Sequence, residues 1–168
     1  MLTLRQIDQT VLTPALALLP AGMDSPPARV LLLATTLQED PQQLRAQRVI
    51  VAGKQRRGPA RGLWQFELGG GVRGVMTHAA SRYWAHSVCQ ARGVDFTARA
   101  VWNALETDEL LAAAFARLLI FTDAQALPAL GDVQGAWRLY RFRCWRPGKP
   151  HPDKWPGNYA QALEVVRG

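Results

Sequence analysis

Residues 37–67, LQEDPQQLRAQRVIVAGKQRRGPARGLWQFE, join the end of an apolar segment to a basic stretch rich in bend-prone residues, and the reading of its two ends decides the architecture. Just upstream, Asp24-Ser25-Pro26-Pro27 supplies N-cap side chains and early prolines for a helix from Ala28 to about Glu39, with Val30, Leu33 and Leu37 at helical spacing. This helix is almost wholly apolar, so it is expected to lie centrally and to pack on several sides. It closes on Gln38-Glu39-Asp40. Glu39 should then stand at the end of a ridge through Leu32 and Thr35 or Thr36, near the negative end of the helix dipole. Desolvation and the dipole both disfavour the charged carboxylate and raise its pKa, which a general acid working near neutral pH requires. The same position also suits a solvated glutamate in a last helical turn.

At the other end of the stretch, RVIVAG (48–53) is a short β-favouring run, and Leu63 to Glu67 either pair with it as a small hairpin or form a helical turn. Gly58, Pro59 and Gly62 allow close chain approach. Trp64 and Phe66 flank Gln65 with rings able to stack on sugar faces.

Working outward, residues 3–19 fit an amphipathic helix stopped by Pro20 and Gly22. After Gly69-Gly70-Gly71, helices are expected over 72–78, 80–92 and 97–105. The Ala- and Leu-rich run 108–120, with its acidic first turn, reads as another. Asp132 can cap a helix through about Cys144, and the four prolines of WRPGKPHPDKWPG (145–157) call for extended or turning chain before a last short helix from Tyr159 to Val166. With 168 residues, 48% apolar content and no internal repeat or long linker, the chain reads as one mostly α domain spanning 1–168. It has at most a small β-hairpin and a Pro/Trp-rich C-terminal segment, 145–168.

Lys and Arg number 20 against 13 Asp and Glu, a net charge of +7 that favours anionic partners without choosing among them. Cys89 and Cys144 lack CxxC spacing and read as reduced core thiols. His78, His86 and His151 have no metal-ligand spacing, and the triple glycine lacks the Lys-Ser/Thr of a phosphate loop, so neither metal nor cofactor is expected. No run approaches the ~20 apolar residues of a membrane span. The first residues, MLTLRQIDQTVLTPALALLPAG, are broken by Asp8, Gln9 and Pro14, and no signal peptide is expected.

A helix-end glutamate followed by a Gly-, Leu- and Gln-bearing loop resembles the lysozyme-like superfamily, most closely the catalytic domain of soluble lytic transglycosylases. There a helix ending in Q-E-S is followed by a loop reading G-A-x-G-L-M-Q. Leu37-Gln38-Glu39-Asp40 and Pro59-Ala60-Arg61-Gly62-Leu63-Trp64-Gln65 stand in those places. The resemblance covers residues 28–67, with vaguer support to 140. Asp40 replaces serine, Trp64 replaces methionine, and the family's A-Y-N motif is answered only by Ala136-Trp137 and Tyr140.

The resemblance implies a lysozyme-like fold cleaving peptidoglycan glycan strands between N-acetylmuramic acid and N-acetylglucosamine. Glu39 would be the acid/base, and Gln65, Trp64 and Tyr140 would contact substrate. A hydrolase would need a second carboxylate roughly 5–10 Å away; Glu67, Asp40 and Asp95 are the candidates, Glu67 first. A bacteriophage or prophage product, made in the bacterial cytoplasm and either carried in the virion beside other virion proteins or released at lysis, acting at the cell wall or periplasm, would fit. Two alternatives stand beside this one. A noncatalytic virion component would engage Glu39 in a salt bridge, for instance with Arg61, and leave no groove open beside it, and a nucleic-acid binder would use the basic loop Lys54-Gln55-Arg56-Arg57 and the tail, although no DNA-binding motif is visible. The tail's Trp145, Trp155 and Tyr159 suit either ligand stacking or covering the core.

Overall fold

The computed structural model describes residues 1–168, and it is mostly helical with one three-stranded antiparallel sheet. Helix α3, Pro26–Glu39, forms where the composition places it. Ser25 accepts a hydrogen bond from the Ala28 N–H at 3.3 Å, and Pro26 and Pro27 occupy a first turn whose N–H groups would have had no intrahelical partner. Residues from Val30 through Thr36 are all buried, so nearly the whole circumference is core. The two threonines fit there because their hydroxyls donate back to Leu31 O and Leu33 O, both at 2.7 Å.

The helical rod before it runs through α1 (Leu4–Gln6), a π-helical segment (Ile7–Leu12) and α2 (Thr13–Leu16). Helix α3 packs against this rod, against α7 (Glu109–Phe121) and most extensively against α9 (Trp155–Arg167). Asp108 caps α7 by accepting the Leu111 N–H at 3.0 Å, and the helix is buried from Leu111 through Leu118. Between sheet and α7 lie a π-helical turn (Leu68–Val72) continuing into α4 (Arg73–Thr77), then α5 (Arg82–Arg92) and α6 (Ala98–Ala104). No helix is long and apolar enough to cross a membrane.

Strands β1 (Ala46–Val51) and β2 (Lys54–Arg61) form a hairpin, and β3 (Phe66–Glu67) adds to β2. This corrects the expected pairing of residues 63–67 with 48–53. The basic run Lys54–Arg57 takes that place, opposite Arg48 through Val51. The turn Ala52-Gly53 explains it: both residues have positive φ, 50° and 73°, the geometry that joins two strands tightly with the twist a hairpin needs. Near the tip both faces are exposed, so no apolar alternation marks the strand in the sequence.

Two C-terminal details also differ from expectation. Helix α8 (Val133–Arg138), capped by Asp132, continues as a π-helical segment, Leu139–Cys144. Helix α9 begins at Trp155, four residues before the expected Tyr159, because Pro156 sits in the first turn, where a missing N–H costs nothing.

Candidate active site

The end of α3 meets an aromatic cluster from the C-terminal third of the chain, with Glu39 half-buried. The Tyr140 hydroxyl, presented from the π-helical segment, donates to Glu39 Oε1. Its ring lies parallel to that of Trp155, with centroids 5.0 Å apart at 13°, and against Trp145 at 6.1 Å and Trp137 at 5.6 Å. The Trp155 indole N–H donates to Val133 O and the Trp145 N–H to Trp64 O, so two of the rings are fixed by both packing and hydrogen bonds. Beside them, Gln38 is clasped by the tail: its amide donates to His151 O at 2.9 Å and accepts from Asn158 at 2.8 Å.

No cation pairs with Glu39. The seven ion pairs of the protein all lie elsewhere, and Arg61 turns to Glu106. Desolvation therefore dominates, pushing the Glu39 carboxyl up to about 7, with the Tyr140 hydrogen bond opposing the shift. Tyr140 is raised above the ordinary phenol range, by burial first and by the Glu39 carboxylate second. It stays a protonated donor at neutral pH. Helices with a π turn are often found at functional sites, where the extra residue re-aims side chains. Here that turn carries the partner of Glu39.

The loop after β2 joins this cluster through its backbone. Gly62 has φ +79°, and a Cβ there would lie 2.7 Å from Leu105 O, so only glycine fits the close approach. Its carbonyl accepts from both the N–H and the side-chain amide of Gln65, at 3.0 and 2.8 Å. Gln65 itself is held at φ 51°, a conformation that costs a non-glycine residue on the order of 1 kcal/mol. Trp64 and Tyr140 are each 1% exposed. Trp64 anchors the loop to α3 by donating to Leu32 O at 3.0 Å, and Tyr140 supports the carboxyl. Neither ring offers a free face for a sugar. The half-buried Gln65 is the loop's remaining candidate for substrate contact.

None of the candidate second carboxylates shares a hydrogen bond with Glu39, whose side chain bonds Tyr140. Both oxygens of Asp40 accept backbone N–H groups, from Leu44 and Arg45 at 2.8 Å, and close the loop after α3. Asp95 is exposed in the turn between α5 and α6. Glu67 is exposed on β3 and lines a cavity of about 520 Å³ with Arg57, Arg61, Arg99 and Trp102, which Glu39 does not reach. That cavity was not legible in the sequence, because its arginines come from β2 and α6. In the tail, Trp155 and Tyr159 are buried and cover the core. No group of three or more His, Cys, Asp or Glu side chains is placed to hold a metal ion.

Fold and site together describe a mostly α-helical protein with a small antiparallel sheet and one desolvated acid at a helix end. No family model, curated protein or solved structure matches the chain. The likeness to soluble lytic transglycosylases therefore rests on the two sequence motifs.

Proposed function

We propose that the protein cleaves peptidoglycan glycan strands with Glu39 as general acid and then base, by the transglycosylase route. The observation that carries this reading is the pairing of a desolvated carboxyl, pushed up to about 7, with a protonated tyrosine in an aromatic cluster. Tyr140 donates to Oε1, and Oε2 has no hydrogen-bond partner in the protein, so in this reaction Oε2 is the oxygen that carries and gives up the proton. Transfer of that proton to the bridging oxygen releases the leaving sugar as positive charge develops at the anomeric carbon. The Glu39 carboxylate then removes the proton from the sugar's 6-hydroxyl, whose oxygen closes on the anomeric carbon to form a 1,6-anhydro ring. One carboxyl serves both steps.

The engagement of both Asp40 oxygens by the Leu44 and Arg45 N–H groups, and the exposure of Asp95 and Glu67, favour this route over hydrolysis through two carboxylates. The noncatalytic virion role called for a salt bridge on Glu39 and for no open groove beside it: Glu39 makes no ion pair, Arg61 standing 3.5 Å from Glu106 instead, while the 520 Å³ cavity does not include Glu39. Digestion of purified peptidoglycan by the wild type and by Glu39→Gln, read by mass spectrometry of the released muropeptides, tests the proposal. Anhydro products from the wild type alone are expected. Reducing-end products would replace the transglycosylase reading with a hydrolase, and no release by either protein would overturn cleavage and favour a structural role in a virion.

A further inference from the structure

The 520 Å³ cavity between β2, β3 and α6 is separate from the acid and has its own chemistry. Its wall carries three arginines, Arg57, Arg61 and Arg99, against a single lining carboxylate, Glu67. Glu106 neutralises part of this charge, bonding Arg57 and standing 3.5 Å from Arg61 Nε, yet a positive excess of one remains when it is counted. Arg61 is only 7% exposed, which is costly for a guanidinium unless its hydrogen bonds are spoken for. Its Nη1 donates to Gly58 O and Ala60 O. Nη2 has no partner within the protein and is not sealed from solvent.

The Trp102 indole N–H donates to Pro59 O at 2.9 Å, and its ring carries the Arg61 guanidinium at 4.2 Å and that of Arg99 at 5.3 Å. Arg99 makes no ion pair. Two guanidinium groups thus lie over one indole, at the side of an open depression of about 520 Å³, with donors to spare.

We propose that this cavity binds an oxyanion, a carboxylate or phosphate group borne by a small ligand or by a polymer substituent, through Arg61 and Arg99 on the Trp102 platform. A planar guanidinium meets either group with two parallel N–H donors, and an anion here relieves the repulsion between Arg57 and Arg61 that, after desolvation, depresses the Arg61 pKa.

The test is titration calorimetry at fixed ionic strength with inorganic phosphate and, separately, with succinate, on the wild type, Arg99→Ser and Glu39→Gln. Saturable binding by the wild type is expected, weakened at least about tenfold in Arg99→Ser and unchanged in Glu39→Gln. Preference for phosphate or for succinate identifies which oxyanion the site takes. Arg99 is exposed and unpaired, so its substitution leaves the fold intact, as the thermal midpoint without ligand checks. Absence of saturable binding for both anions, or equal binding by Arg99→Ser, would overturn the proposal. Glycan cleavage does not enter this readout, so the two readings fail separately.

Discussion

Two glutamates stand at the C-terminal ends of helices and meet opposite surroundings. Glu39 closes α3 against Tyr140, a ring stacked between tryptophans, with that hydroxyl as its polar partner and no cation within ion-pair distance. Glu106 follows α6 at the edge of the arginine-lined cavity, where it bonds Arg57 and approaches Arg61. The contrast teaches how the chain distributes charge. At the sheet it places cations and carboxylates together in contact with water, whereas at the end of α3 it sets one carboxyl against an aromatic cluster. That carboxyl is shifted toward its protonated form.

The largest expected effect comes from opening the aromatic cluster. Trp155→Ala removes a 1% exposed side chain that stacks on Tyr140 and bonds Val133 O, at a cost of about 3–5 kcal/mol in urea unfolding. Water admitted beside Glu39 should also bring its titration midpoint down. A loss under about 1 kcal/mol would mean that the rings lie over the core without supporting it.

Replacing the acid should have the opposite sign. The folded-state pKa of Glu39 lies above its ordinary value of 4.5, at about 7, so between these values the folded protein binds the proton that the unfolded chain releases. Stability therefore falls as pH rises through this window and stays lower above it. Glu39→Gln keeps an acceptor for Tyr140 and has no proton to lose, so it should be more stable than the wild type by about 1–3 kcal/mol at pH 8. The gap should close below pH 4.5. Thermal midpoints of both proteins across pH 4–8 measure it.

Tyr140→Phe keeps the ring and deletes the donor that opposes the shift. A modest stability loss, about 0.5–1.5 kcal/mol, should accompany a further rise in the Glu39 midpoint. The smallest effect belongs to the other region: Arg57→Ala breaks a pair whose side chains are 51% and 33% exposed, and should change stability by less than about 1 kcal/mol. A larger loss from Arg57→Ala than from Trp155→Ala would invert the comparison.

Much of the scaffold around Glu39 could be read locally. Ser25 with two prolines announces the start of α3, the leucine run its burial, and Gln38-Glu39-Asp40 its end. Asp108 and Asp132 likewise marked α7 and α8. What stayed hidden depends on partners distant in sequence. The Tyr140–Glu39 hydrogen bond spans 101 positions, and no local pattern reports that a π turn will aim Tyr140 at the end of α3. Lys54–Arg57 looked like a loop because the strand is set by its turn and by β1, not by its own side chains. Trp64 looked like a sugar platform because its bond to Leu32 O exists only after the loop folds against α3. The arginine cavity needed β2 and α6 side by side.

The most direct measurement is an NMR titration of the protein carrying ¹³C-labelled glutamate, with the Glu39 carboxyl resonance assigned by its absence from Glu39→Gln. A midpoint near 7 is expected for a desolvated carboxyl bonded by Tyr140. A midpoint near the ordinary 4.5 would contradict it, placing Glu39 in open solvent and removing the physical basis for its role as an acid at neutral pH.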